Sequence, residues 1–253
     1  MPNPWISKME QFTRFADGEK RVLDELLSER RKMFKAGEPI IADGGHSRDV
    51  HVIVSGLACR SKLLDEGERQ IMAFLVPGDL CDAEIFILKV MDHDVMAMVP
   101  TDVALISGEK MKELLRGDGC LSEALWWGTL TDLAVLRERI IDVGRRGARE
   151  RLAHLFYEML IRYRIVGLTD GFSFDFPVTQ ADLADATGLS VVHLNRTLQT
   201  LRAENLIAFE NKRVTVLDPA RLKAAARFHS EYLHLDRAHD PQDGMAGRAG
   251  DLV

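Results

Sequence analysis

The residues best suited to directed polar chemistry lie in one short stretch, TGLSVVHLNRTLQTLR, at 187–202. Asn195 and Arg196 stand one helical turn beyond a bare apolar pair, Val191 and Val192. An arginine can donate two hydrogen bonds to guanine, an asparagine can pair with adenine, and a valine methyl can pack on the methyl of thymine. These residue types at this spacing predict a surface that contacts base edges in the major groove of DNA.

Two short helical patterns that meet at Gly188 would present this surface. Leucines at helical spacing supply a buried face, and the small pair Ala184 and Gly188 allows the two helices to approach closely. Thr179 and Ser190 are predicted N-caps, because their hydroxyls can accept hydrogen bonds from the first free backbone amides. The pattern favours a helix-turn-helix over its alternative, an ordinary surface formed by two packed helices.

The second helix of such a motif lies in the major groove, and the first crosses the phosphate backbone. We expect Arg196 to contact a base, while Thr179, Gln180 and Ser190 mainly hold phosphates. The full set of candidate DNA-binding residues is Thr179, Gln180, Ser190, Val191, Val192, His193, Asn195, Arg196 and Gln199. The predicted partner is therefore double-stranded DNA.

The composition of the 253-residue chain is that of a globular protein, with 46% hydrophobic and 28% charged residues. Its net charge of −6 is unevenly distributed. Residues 145–230 hold 13 Lys/Arg against 9 Asp/Glu, whereas residues 1–144 hold 18 against 25. This asymmetry favours a DNA-contacting part joined to an acidic partner domain, although a chance solvated face is the alternative interpretation of charge alone.

The surroundings of the chain are indicated by what its sequence lacks. No apolar leader follows MPNPWISKMEQF, and no apolar stretch approaches the length that spans a bilayer. The three scattered cysteines, Cys59, Cys81 and Cys120, suit reduced thiols better than a disulfide framework. We therefore expect a cytoplasmic protein without a membrane partner.

The order of patterns along the chain predicts an α+β protein. Apolar residues at helical spacing over 9–28 predict a short amphipathic helix, and β-rich runs between Gly, Pro and Asp turns over 33–107 predict an antiparallel β-roll, or jelly roll. IAFE and RVTVL, joined by Asn211–Lys212, predict a small wing. The predicted domains are an N-terminal helix and β-roll sensor at 1–117, a central dimerisation helix at 118–144, a winged helix-turn-helix at 145–236 and a disordered tail at 237–253.

An apolar seam runs along the predicted central helix in steps of three and four residues. Its members are Trp126, Leu130, Leu133, Leu136, Ile140 and Val143. Such a seam requires a partner helix, which predicts a homodimer joined along two copies of this helix. Burial of the seam against the chain's own β-roll is the alternative.

The whole arrangement resembles the Crp/Fnr family of bacterial transcription regulators over about residues 12–230. The resemblance is carried, in this order, by FKAGEPIIADG at 34–44, VSG at 54–56, PGD at 77–79 and TQADLADATGLS at 179–190. It implies a symmetric dimer that binds a near-palindromic operator and regulates transcription. RNA polymerase and a small-molecule effector are the further partners it implies.

Both halves of the chain depart from the cyclic-nucleotide-binding members of that family. Those members bind the cyclic phosphate through an arginine, and the stretch at 77–99 contains none. It carries instead the four carboxylates of Asp82, Glu84, Asp92 and Asp94. Because these would repel a phosphate, we expect that the β-roll binds no cyclic nucleotide. In the recognition helix, Arg196 matches a family arginine, but Val191 and Val192 replace charged residues, which implies a different operator.

Three other kinds of sensor chemistry remain open around Cys81, although we expect no bound cofactor. The haem-sensing branch of the family uses an N-terminal proline and a Cys/His pair; Pro2 and Cys81 are present, but Ala83 or Glu84 takes the place of the histidine. The candidate metal ligands are Cys81, Asp82, Glu84 and His93. Cys81 could also act as a redox switch, whereas a lone cysteine on a β-rich segment is more often an inert core residue.

The alternative from another class is an enzyme on a cupin-like β-roll. Such enzymes hold iron or manganese through closely spaced His and Glu ligands. His46 and His51 have no glutamate close behind them, and His93 is far along the chain. No GxSxG, HExxH or Walker motif is present. The sequence therefore predicts a regulator without enzymatic activity.

Overall fold

The computed structural model describes residues 3–81, 88, 90–117 and 119–235. The tail predicted at 237–253 lies outside these residues. So do Pro2, Asp82, Ala83 and Glu84, on which the haem and metal hypotheses depend. Among the described residues, no helix is both long enough and apolar enough to span a membrane.

The helix predicted over 9–28 begins only at Asp17, and a further, unpredicted helix precedes it. Helix α1 spans Pro4–Met9, and α2 spans Asp17–Glu29. The Asn3 side chain caps α1, and the Ala16 amide at the start of α2 donates a hydrogen bond to Glu19 Oε2 at 2.6 Å. Because each helix has its own N-terminal cap, a turn divides the apolar pattern and leaves the aromatic residues of 10–16 between the helices.

Seven strands in the described part of the chain form the predicted antiparallel β-roll. They are β1 (Arg31–Phe34), β2 (Pro39–Ile41), β3 (Asp49–Ser55), β4 (Ala58–Leu63), β5 (Arg69–Leu75), β6 (Asp94–Ala97) and β7 (Thr101–Ser107). The strands pair in two sheets, in the orders β1-β7-β3 and β2-β6-β4-β5. Both sheets contribute to one core, because Phe34, Ile53, Leu75 and Val103 are buried in a single apolar cluster.

Helix α3 (Gly108–Gly117) leads from the β-roll to the long central helix α4 (Gly119–Gly144). One face of α4 is buried against the N-terminal half of the chain. Leu121 and Ala124 pack in the cluster that contains α1 and α2, and Trp127 stacks on Phe12 with ring centroids 5.8 Å apart. The predicted seam lies on a different face of this helix.

The C-terminal unit has the predicted winged helix-turn-helix. Its elements are α5 (Ala148–Ile165), β8 (Ser173–Asp175), α6 (Gln180–Thr187), α7 (Val191–Ala203), β9 (Ile207–Glu210), β10 (Arg213–Val216), α8 (Pro219–Ala226) and a 3-10 helix (Ser230–Leu233). The strands form one sheet in the order β8-β10-β9. Asn211 and Lys212 turn the β9–β10 hairpin with positive φ angles of 50° and 62°, as tight hairpin turns require.

The β-roll and the C-terminal unit share an apolar core. Phe74 of β5 meets Phe176 edge to face, with ring centroids 5.0 Å apart. Leu57 and Ile71 of the roll are buried in the same cluster as Leu183 of α6. The helix-turn-helix is therefore packed directly against the sheet that contains β4 and β5, and its position depends on that sheet.

Candidate DNA-binding surface

Both helices of the helix-turn-helix have the predicted caps. Thr179 Oγ1 accepts a hydrogen bond from the Asp182 amide at 3.1 Å, and Asp182 Oδ2 accepts one from the Thr179 amide at 2.8 Å. Ser190 Oγ accepts a hydrogen bond from the His193 amide at 3.3 Å. These bonds satisfy some of the amides that a helix start leaves unpaired, and they fix both N-termini in place.

The turn between the helices requires its glycine for conformational reasons. Gly188 is the C-cap of α6, with φ 61° and ψ 37°, and its amide donates to the Ala184 carbonyl. A Cβ atom added there would stand 3.6 Å from side-chain atoms of Val143 and Arg151, which is ordinary contact. The left-handed backbone, and not a shortage of space, therefore selects glycine.

The outward face of α7 carries the predicted base-contacting side chains. Val192 is 69% exposed and Val191 is 43% exposed. His193, Arg196 and Gln199 are also exposed, and Asn195 is half-buried. The opposite face is buried through Leu194, Leu198 and Leu201. Within the described part of the chain, the side chains of His193, Asn195, Arg196 and Gln199 make no hydrogen bond or ion pair, so they are available to a partner.

Most cations of the C-terminal unit are occupied within the protein. Arg149 pairs with Glu204, and the guanidinium of Arg202 donates to the Phe209 carbonyl. Among the described residues from 145 to 230, the cations whose side chains make no hydrogen bond or ion pair at all are Arg145, Arg196, Lys212 and Lys223. Most arginines of the basic stretch RRGARER therefore make contacts within the protein. The charge count alone did not indicate that these arginines have internal partners.

Arg151 joins the helix-turn-helix to the central helix, a role that sequence reasoning missed. Its guanidinium donates to the Thr187 carbonyl at the end of α6. It also donates to the carbonyls of Val143 and Arg146, at 3.1 and 3.0 Å, where α4 ends. Helix ends leave such carbonyls unpaired and favour a cation beside them. The density of arginines around position 151 was the only sequence signal for this contact.

The β-roll holds the first helix of the motif through Arg69. The Arg69 guanidinium contacts Asp182 at 2.5 Å and Asp185 at 2.7 Å, and Gln70 Nε2 donates to the Asp185 carbonyl at 2.7 Å. Burial opposes the ionisation of Asp182, but hydrogen bonds from Thr179 and Arg69 hold its pKa below the ordinary value. Helix α6 is therefore positioned by the Arg69 and Gln70 side chains of β5.

A group of buried and half-buried charged and polar residues lies where the β-roll, α4 and α5 meet. This junction cluster consists of Asp79, Arg139, Glu158, Arg162 and Tyr232. Glu158 accepts hydrogen bonds from Arg139 at 2.6 Å and from the Tyr232 hydroxyl at 2.8 Å. Arg162 donates to Asp79 at 2.6 Å. Burial alone would raise the pKa of Glu158, but Arg139 and Arg162 hold it below the ordinary range, so the carboxylate is charged.

The apolar seam of α4 faces away from the body of the chain. Trp126 is 66% exposed, Leu133 is 49% exposed and Ile140 is 72% exposed. Leu130 and Val143 are exposed as well, and Leu136 is half-buried. Within the chain the seam is therefore not covered by the β-roll, which packs on other faces of α4. A long exposed apolar stripe of this kind marks an interaction surface.

The structure describes two of the four candidate metal ligands, Cys81 and His93. Cys81 is fully buried in the β-roll core. His93 is buried, and its Nδ1 lies 2.6 Å from Asp92 Oδ1. His46 is exposed and His51 is buried in β3. In the described ranges, no group of three His, Cys, Asp or Glu residues is placed to hold a metal ion. The haem, metal and redox hypotheses for Cys81 stay hypotheses.

Comparisons with known proteins agree with this architecture. A family profile for a Crp-like helix-turn-helix domain matches residues 150–225, and one for a cyclic nucleotide-binding domain matches residues 31–118. The transcriptional activator protein FnrL of Cereibacter sphaeroides is 27% identical over 217 residues, which cover 84% of this chain and 82% of that protein. The nitrogen fixation regulation protein FixK of Bradyrhizobium diazoefficiens is 26% identical over 203 residues, covering 78% and 82% of the two chains.

The fold also matches solved structures. The structure of FixK2 from Bradyrhizobium japonicum superposes with a TM-score of 0.70 at 24% identity, covering 78% of this chain and 96% of that chain. A β-roll, a long central helix and a winged helix-turn-helix in this order define a DNA-binding transcription regulator. The chain belongs to the Crp/Fnr family. The predicted fold class and the predicted family are both confirmed.

Proposed function

We propose that the protein is a cytoplasmic regulator that binds a near-palindromic operator as a homodimer and has no enzymatic activity. The observation that carries this proposal is the capped start of α7, where the side chains of His193 and Arg196 are exposed and make no hydrogen bond or ion pair with the described residues. A helix N-terminus in the major groove places such side chains against base edges. Two copies related by a twofold axis would contact half-sites about one helical turn apart, roughly 34 Å.

Two further partners follow from the same proposal. The exposed seam on α4 supports a second copy of this chain as the dimer partner. The relative from Cereibacter sphaeroides is named a transcriptional activator, which supports RNA polymerase as a contact of the DNA-bound protein. The sensor half would receive a small-molecule effector whose chemistry is not assigned.

The proposal is tested by selecting bound duplexes from a random DNA pool with the full chain, with and without cell extract. We expect enrichment of one near-palindromic sequence, bound by two protein chains per duplex. Enrichment of no sequence, or binding of single chains to an asymmetric site, would contradict the proposal.

Arg196→Ala is expected to weaken operator binding by about 1–3 kcal/mol for each half-site and to relax the preference at one base pair in each half-site. The Arg196 side chain is exposed and has no partner among the residues that the structure describes, so its removal leaves the helix intact. Gln180→Ala provides the matched comparison, because a phosphate contact carries no sequence information and its loss weakens all operators evenly. The measurement is a competition of both variants against a set of single-base operator changes.

The result has one clear alternative. If Arg196→Ala weakens every operator equally and the base preferences persist, Arg196 contacts phosphate. Specificity then rests on other candidate base-contacting residues of α7, which are Val191, Val192, His193 and Asn195.

Cyclic AMP and cyclic GMP are expected not to bind at micromolar concentration. No arginine occurs between Arg69 and Arg116, and Arg69 is held by Asp182 and Asp185. The Asp94 carboxylate also lies in this region of the roll, where it accepts a hydrogen bond from the Asp43 amide at 2.8 Å. Its negative charge would repel a cyclic phosphate. Isothermal calorimetry measures the binding directly, and saturable heat with either nucleotide would show that this prediction is wrong.

A further inference from the structure

The Val192 side chain contributes little to the stability of the folded chain. It lies in the first turn of α7 with 69% of its surface exposed, more than Val22, Val90, Val143 and Val191. A β-branched residue is a weak helix former, and an exposed one gains nothing from burial. A residue of this type at this place is explained by an apolar group on the partner that α7 contacts.

The major groove offers one such group. Among the four bases, only thymine presents a methyl group there, at C5, while the other base edges present hydrogen-bond donors and acceptors. Side chains in the first turn of a recognition helix are those that meet base edges. We infer that Val192 contacts a thymine methyl in each half-site, an inference that rests on the proposed function.

The spacing on the helix also places this thymine. Val192 and Arg196 are four residues apart and so lie on the same face of α7, about 6 Å apart along its axis. Base pairs in B-DNA follow each other at about 3.4 Å. The thymine that Val192 contacts therefore lies about two base pairs from the base that Arg196 contacts, and the two form one recognition element.

The inference is tested by replacing each thymine of the selected operator, one at a time, with deoxyuridine. This change removes the C5 methyl and leaves base pairing intact. At one position of each half-site, we expect the affinity of the wild-type protein to fall about fourfold, and about 15-fold when both half-sites are changed. Val192→Ala should bind the thymine and deoxyuridine operators equally, because the methyl no longer has a partner.

Val22→Ala is the matched control, since Val22 is a 44% exposed valine on α2. This variant should keep the full deoxyuridine effect. The inference is overturned if no thymine methyl affects wild-type binding, or if Val192→Ala retains the same deoxyuridine penalty, because another residue then contacts the methyl. Failure to select any duplex is a different result: it rejects the proposed function, and the inference with it.

Discussion

Leu133→Glu is expected to convert the protein to single chains and to weaken operator binding by at least about 100-fold. Leu133 lies in the middle of the exposed seam of α4, so two introduced glutamates would face each other across the twofold axis. Uncompensated charges in an apolar interface cost several kcal/mol, and each 1.4 kcal/mol is a factor of ten. A single chain contacts only one half-site, so the affinity gained by joining two half-sites is lost as well.

Light scattering measures the loss of the dimer, and a titration with labelled operator measures the loss of affinity. The fold of each chain should persist, because the Leu133 side chain is exposed within the chain and its removal opens no internal cavity. Met33→Glu is the charge control, because Met33 is a 60% exposed apolar residue on β1, away from the seam. A Leu133→Glu protein that is still a dimer would show that the seam is not the interface.

The caps, the turn and the exposed face of the candidate DNA-binding surface were predictable from sequence because their determinants act locally. Thr179 and Ser190 each accept a hydrogen bond from an amide three residues further along the chain. Glycine is needed at position 188 because the backbone there is left-handed, with φ 61°. The leucine spacing of α7 identifies its buried face, so the exposed face follows by elimination. Interactions between residues only a few positions apart can be recognised in a single sequence.

The contacts that position this surface were not predictable in the same way. The Arg69–Asp182 contact joins residues 113 positions apart, and the Arg162–Asp79 contact joins residues 83 positions apart. No period or motif links such partners before the chain is folded. Charge is limited in the same way as a predictor. The basic excess at 145–230 was visible in the sequence, but the contacts of Arg151 with helix ends depend on how α4, α5 and α6 pack.

Glu158→Ala is expected to lower the free energy of unfolding by about 3–5 kcal/mol, and with it the melting temperature by roughly 10 °C. Glu158 is fully buried and accepts hydrogen bonds from Arg139 and Tyr232, one from α4 and one from the 3-10 helix. Its removal takes from Arg139, whose side chain is 12% exposed, the nearer of its two carboxylate partners, Glu158 and Asp142. Such a loss costs far more than the net gain from forming the pair.

Glu204→Ala is the control for the junction cluster. Glu204 also pairs with an arginine, Arg149, but both side chains of this pair are at least one-third exposed. A solvent-exposed ion pair contributes at most about 1 kcal/mol, so its loss should hardly change the melting temperature. Equal effects of the two variants in thermal unfolding would show that the burial of Glu158 does not matter.

The stability that Glu158 contributes should depend on pH with a definite sign. Arg139 and Arg162 hold its pKa below the ordinary value of 4.5 in the folded chain, and unfolding returns the pKa to that value. The unfolded chain therefore binds more protons on acidification, and the stabilisation is lost as the pH falls through the folded pKa. In melts at a series of pH values, the difference between wild type and Glu158→Ala should be constant near neutrality and shrink below about pH 4. A difference that grows on acidification would mean that the buried carboxyl is already protonated in the folded protein.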